Sequence, residues 1–327
     1  MTPNDLIYRI VRPFGGLKVA KYLSRKHPRI LMYHRIVPNV TPGAIDINRF
    51  RQQMRTIKRE LNPVSLTDLI VGHEKNNIPE NAIVITFDDG YADFYDYAYP
   101  VLIEEKIPCT LFVTTGFVNG DNWLWPDRLR YCVDNTPQES IRLPGKSQSL
   151  SLRGCRTSVW NAIADYCLTL PNKEKIEFLD RVETELRVAP PKAPPPQFKA
   201  LDWSQIREIA GAGFEIGSHS VSHPVMTSLD DESLRFELLQ SKLEIERQIG
   251  RQVTSFCYPN GQPIDFDERV KTEVRRAGYR CGLAAFPGRA TLGDLMAVHR
   301  YPGGLSNSLF EKTVFGLSFL GLPHSFG

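Results

Sequence analysis

Residues 86–91 read Thr-Phe-Asp-Asp-Gly-Tyr and follow directly on the apolar, β-branched run at 82–85. The adjacent carboxylates Asp88 and Asp89 repel each other, and each is costly beside apolar surroundings unless a cation or a task as a base compensates. Capping of the following helix would account for one of them, but not both. A second stretch with chemical potential is Ser-His-Ser-Val-Ser-His-Pro at 218–224, which sets His219 and His223 four residues apart. That spacing predicts one shared face of a helical turn, and neutral imidazole is the commonest Zn2+ ligand. One Asp with two His makes a three-ligand site with room for water, the composition of a catalytic metal centre. The second Asp is then free to take a proton from that water.

Both motifs sit where predicted strands end. Short apolar runs at 29–36, 82–87, 109–118, 214–219, 254–259, 279–286 and 297–302 read as buried strands. Helical patterns separate them at 47–61, 94–105, 203–213, 230–250 and 267–278, the first with Ile47, Phe50, Met54, Ile57 and Leu61 in helical register. Strands alternating with helices predict parallel βα units, in a barrel or a doubly wound sheet. In a parallel barrel the strand C-termini converge on one mouth, which would bring the two motifs together. Residues 121–200 break the rhythm with two further helical stretches and a stiff Pro-rich connector at 189–196, and read as an insertion on the rim. Within it, Trp123 and Trp125 are candidates either to stack on the rings of a bound ligand or to anchor the insertion.

The 327 residues carry a net charge of +3, too little to imply a nucleic-acid partner. The charge is uneven: seven Lys/Arg against Asp5 give residues 1–29 a net +6, leaving −3 for the rest. Leu6, Ile7, Ile10, Val11, Phe14 and Leu17 lie on one rough face among those basic residues, so residues 1–28 are a candidate for peripheral contact with an anionic membrane. A helix packed under the barrel is the rival reading. No apolar run reaches the ~20 residues of a membrane span. Residues 306–327 read as an apolar tail. Six cysteines without a CxxC pair read as reduced thiols, and no signal peptide is evident, so the expected location is cytoplasmic, at most peripheral on the inner membrane face.

The pair of motifs resembles the polysaccharide deacetylases, carbohydrate esterase family four, over residues 29–120 and 200–305. The resemblance implies a distorted (β/α)7 barrel, here with a helical insertion after the third predicted strand. It implies a divalent metal ion, Zn2+ first among candidates, on Asp89, His219 and His223, with Asp88 as general base. The implied reaction is hydrolysis of an N-acetyl group on a saccharide, releasing acetate, in cell-surface polysaccharide assembly. Phe256–Gly261 is similar to the family's third motif and makes the backbone N–H of Asn260, with nearby Tyr258, the candidate oxyanion-binding element; a plain Pro-Asn-Gly turn is the rival reading. The general acid is read as His34, at the exit of the 31–36 run, because the chain resembles the exopolysaccharide deacetylases with an N-terminal histidine. His299 is its rival. The arginine that steadies the base in the family is absent from the third motif, leaving Arg300 and Arg35 as substitutes. Two other functions stay open: a different C–N hydrolase with a narrow pocket, and a glycan-binding barrel without catalysis.

Overall fold

The computed structural model describes residues 8, 10, 12–39, 43–121, 123–144, 149–288, 291–304 and 306–321. Seven strands form the main path of the eight-stranded sheet: β1 (Arg29–Tyr33), β2 (Ala82–Phe87), β3 (Cys109–Val113), β4 (Glu215–Ser218), β5 (Ser255–Cys257), β6 (Cys281–Leu283) and β7 (Tyr301–Pro302); the two-residue strand Asn62–Pro63 pairs with the start of β2, off this path. They pair in the order β6-β5-β4-β3-β2-β1-β7, and every pairing along this path is parallel. The sheet curls back on itself. Leu283 on β6 makes a parallel bridge to Val298, three residues before β7, while Tyr301 on β7 pairs with Leu31 on β1. All six residues of β2 are buried, the signature of a strand covered on both faces.

Thirteen α-helices carry the connections among the described residues. They are α1 (Gly16–Leu23), α2 (Ile47–Glu60), α3 (Leu66–Glu74), α4 (Tyr99–Glu105), α5 (Thr115–Asn119), α6 (Trp125–Asn135), α7 (Arg156–Leu168), α8 (Asn172–Leu186), α9 (Trp203–Gly211), α10 (Asp231–Ile249), α11 (Glu268–Arg276), α12 (Asn307–Val314) and α13 (Leu317–Leu320). Their starts follow local chemistry. Asp46, Asp202, Asp230 and Asp267 cap α2, α9, α10 and α11 by accepting from backbone N–H groups of the first turn. Gly250, left-handed at φ 66°, stops α10. Between β6 and β7 the described chain turns back without a helix, and this is what distorts the (β/α) repeat.

The structure differs from the sequence reading in several places, among them α3, which no predicted pattern covered. The run at 109–118 is a strand only to Val113; Thr115–Asn119 is α5 instead, because the apolar Phe117 and Val118 are buried from a helix just as well. The insertion holds a third helix, α6, and a two-strand hairpin, Ser140–Arg142 with Ser149–Ser151, that its polar sequence conceals. It has its own core, in which Leu129, Val133, Ile163, Phe178 and Val182 are buried together. The expected C-terminal tail folds through residue 321 into α12 and α13, which pack on α1.

Leu6, Ile7 and Val11 of the basic amphipathic segment lie outside the described residues. The described part exposes Phe14, Val19, Tyr22 and Leu23, with Lys18 and Lys26 also exposed. Ser24, just after α1, accepts a hydrogen bond from Arg29 at the start of β1, so this face lies toward the strand N-termini, the end opposite the carboxylates. Among the described residues no helix is long and apolar enough to cross a membrane.

Candidate active site

The carboxylates leave β2 in different roles. The Asp88 N–H donates to Tyr33 O of β1 at 3.0 Å, so the ladder runs one residue past β2. Asp89 and Gly90 then turn left-handed, at φ 75° and 91°, and the Asp89 carbonyl accepts from Thr114 N on the other side. Asp is among the few side chains that tolerate this conformation; at position 90 a side chain would also crowd Val113 and Val118.

Asp88 is fully buried and is held by Arg300. The guanidinium donates from Nη1 to Oδ1 at 2.7 Å and from Nη2 to Oδ2 at 2.8 Å, a two-pronged charge-assisted pair. Arg300 is itself buried and spends its remaining donors on Ala284 O, Thr86 Oγ1 and Cys257 Sγ. Burial alone would raise the Asp88 pKa. The Arg300 fork, with His219 and His34, reverses that and holds it below the usual carboxylate range. His34 Nε2 stands 3.9 Å from Asp88 Oδ2, and its side chain is 43% exposed, open to the mouth.

Asp89 faces the two histidines. Its Oδ1 lies 3.4 Å from His219 Nε2 and 3.5 Å from His223 Nε2, is buried, and makes no hydrogen bond. His219 Nδ1 lies 2.8 Å from the Cys257 carbonyl; although burial opposes it, Cys257 and Asp89 raise the His219 pKa, so a cation at Nε2 would take the place of a proton there. Burial lowers the His223 pKa to about 4, so that ring is neutral near pH 7. The histidines do not share a helical turn as their spacing predicts. Left-handed residues at Ser220 and His223, φ 66° and 58°, fold the segment into a tight loop. The buried carboxylate of Glu237 on α10 accepts from Val221 N and Ser222 N, at 2.7 and 2.9 Å, and from Ser222 Oγ. Thr115 N and Gly116 N of α5 hold the Ser220 and Val221 carbonyls.

The donors of Asp89, His219 and His223 lie within 4.8 Å of one another. An orphaned carboxylate oxygen facing two imidazole nitrogens fits a divalent cation. Asp88, His219 and Cys257 are equally close, but Asp88 is committed to Arg300 and burial keeps the Cys257 thiol protonated. That second set does not fit a metal.

A cavity of about 270 Å3 opens over the cluster, lined by His34, Asp88, Asp89, His219, His223 and Asn260. Asn260 is left-handed at φ 58°, and its buried Nδ2 has no acceptor. Tyr258 also borders the cavity, but its hydroxyl donates to Met296 O and its ring stacks on Phe266, so it offers no hydroxyl to a ligand. His299 packs against Phe286 and position 288, away from Asp88. Arg35 pairs with Asp93 at 2.8 Å, which leaves Arg300 alone on the base. Sequence reasoning missed Glu237 and the Cys257 carbonyl. An acid at 237 among the apolar positions 234 and 238 of a helix was a legible signal; a backbone carbonyl was not.

The cavity continues into a larger one of about 660 Å3 that shares His34, Asp89, Tyr91 and Pro126 with it. Arg130, Thr157 and Trp160 of the insertion form its far wall. Tyr91 donates to Asp127 at the junction, at 2.6 Å, and burial raises the Asp127 pKa to about 7. Trp123 and Trp125 do not line either space: Trp123 donates to Lys192 O, and Trp125 packs on the insertion's core.

Comparison with known proteins agrees with this geometry. A family model described as polysaccharide deacetylase matches residues 75–148 and 160–282. Bacillus subtilis YxkH is 23% identical over 288 residues, covering 86% of this chain and 74% of that protein. The Staphylococcus aureus poly-beta-1,6-N-acetyl-D-glucosamine N-deacetylase is 30% identical over 81 residues, but these are only 24% of this chain and 28% of that enzyme. The solved structure of Streptococcus pyogenes deacetylase PplD in complex with acetate superposes with a TM-score of 0.58 at 18% identity, covering 90% of this chain and 98% of that one. It has the same barrel fold. With the family model spanning more than half its length, the chain is an enzyme of the polysaccharide deacetylase family.

Proposed function

We propose that this protein removes the N-acetyl group from an N-acetylated saccharide by metal-dependent hydrolysis, releasing acetate and leaving an amine. The observation that carries the reading is the unmet Oδ1 of Asp89 between two imidazoles, beside an Arg300-anchored Asp88 that His34 approaches. Asp89, His219 and His223 would hold the metal, Zn2+ by the donor set; when bound, it supplies a Lewis acid for the acetamide carbonyl and a water acidified to a pKa near 7.

This chain's own residues perform the proton transfers. Asp88, kept ionised and oriented by Arg300, takes the proton of the attacking water at Oδ2. His34 Nε2, exposed at the mouth, gives a proton to the departing nitrogen. Asn260, with an unclaimed N–H2 in the same cavity, donates to the carbonyl oxygen as charge builds on it. The adjoining cavity leaves room for more than one sugar, which favours a glycan chain over the narrow pocket of another C–N hydrolase. A role in cell-surface polysaccharide assembly, in the cytoplasm at a membrane face, belongs to the same proposal; the exposed apolar and basic face of α1 supports the membrane contact. Acetate release from N-acetylglucosamine oligomers by metal-loaded protein tests the activity. No release from any N-acetylated saccharide, with metal bound, would leave a glycan-binding barrel as the better reading.

A further inference from the structure

A separate cavity of about 420 Å3 lies between the insertion and the histidine loop, within the size range of ligand pockets. Residues 123–126 divide it from the catalytic cavity. Trp123 and Trp125 line the one, Leu124 and Pro126 the other, and Ser222 and His223 divide in the same way. Two donors of this cavity lack an acceptor. Lys175, in the first turns of α8, is only 3% exposed, and among the described residues no oxygen accepts a hydrogen bond from its ammonium. The Trp125 ring centroid, 5.3 Å away, is its near neighbour. The buried Nε1 of Trp125 is also without a partner. The nearby carboxylates give Lys175 no hydrogen bond: Glu183 and Asp180 are taken up by Arg128, at 2.7 and 3.5 Å, Glu237 acts on it only through space while accepting from Val221 and Ser222, and Asp121 is exposed.

Buried donors without acceptors are rare in folded proteins because desolvating them is costly. Burial lowers the Lys175 pKa to about 8, so it is still a cation at pH 7. Water could satisfy either donor but would leave the charge to Glu237 at a distance and the Trp125 ring; an oxyanion satisfies both donors and pairs the charge directly. We propose that this cavity binds a carboxylate or phosphate group, its charge against Lys175 and one oxygen accepting from Trp125 Nε1. A free anion and an acidic saccharide share that chemistry.

Isothermal titration calorimetry of the full chain with inorganic phosphate and with D-glucuronate, at constant ionic strength set by chloride, tests this. Saturable binding of phosphate, or of glucuronate alone, is expected, and which one saturates identifies the source. Affinity should fall at least about tenfold in Lys175→Met, a loss typical of a charged hydrogen bond. No saturable heat with either probe, or an unchanged affinity in Lys175→Met, would overturn it. If Lys175→Met does not fold by circular dichroism, Trp125→Phe decides: weaker binding supports the site, and unchanged binding overturns it.

Discussion

The Asp88–Arg300 pair is the residue on which both the chemistry and the local stability of the mouth depend. Asp88→Asn keeps the shape but removes the base. Acetate release should drop about 10²- to 10⁴-fold while metal content, read by elemental analysis, is retained. Arg300→Met strands a buried carboxylate and should destabilise the protein by about 3–5 kcal/mol at pH 7 in urea melts. The pH dependence has a definite sign. In the native protein the depressed Asp88 pKa contributes stability above the unfolded value of about 3.9, lost only as pH falls below it. In Arg300→Met the same burial, opposed only by His219 and His34, raises the pKa relative to the native protein, so the deficit should shrink as pH falls from 7 toward 4.5. A deficit independent of pH would mean that Arg300 acts by packing alone. The family resemblance leaves Arg300 and Arg35 as equal candidates to steady the base; closure of the barrel, which joins residues 212 positions apart, decides for Arg300.

Elements place the histidines. The Asp and His types and their spacing were legible, as were the strand ends that bring them together, because buried parallel strands leave continuous apolar runs. The conformation of the loop was not legible. Four-residue spacing suggested a helical turn, whereas Glu237, reaching from α10, clasps a left-handed loop instead. Glu237→Gln, similar in shape but uncharged, should cost about 1–3 kcal/mol and weaken metal affinity about 10- to 100-fold by calorimetric titration. Equal metal affinity would show that the loop holds its own shape. Helices α3 and α6 escaped notice for a related reason: each is short, and its apolar residues serve packing against neighbours that the local pattern does not reveal.

At the scale of the whole molecule, the barrel supplies the cluster and the insertion supplies the far wall of the adjoining cavity. If that cavity holds further sugars, kcat/KM should rise with oligomer length. Trp160→Ala should then lower it by about 1–2 kcal/mol equivalent, the scale of apolar area lost from an aromatic face, for the longer oligomers while leaving the monosaccharide unaffected. Equal loss on all lengths would place Trp160 in a structural role, in keeping with its hydrogen bond to Pro126 O. The exposed face of α1 lies toward the opposite end of the barrel, so contact of that face with a membrane would turn the mouth away from the lipid.

The most direct test of the central claim is acetate release from an N-acetylglucosamine oligomer while divalent metal is titrated back into chelator-stripped protein. The account predicts activity that climbs to a plateau near one equivalent of Zn2+ per chain and stays absent in His219→Ala. Release that persists in stripped protein, or no release at full metal occupancy, would contradict it.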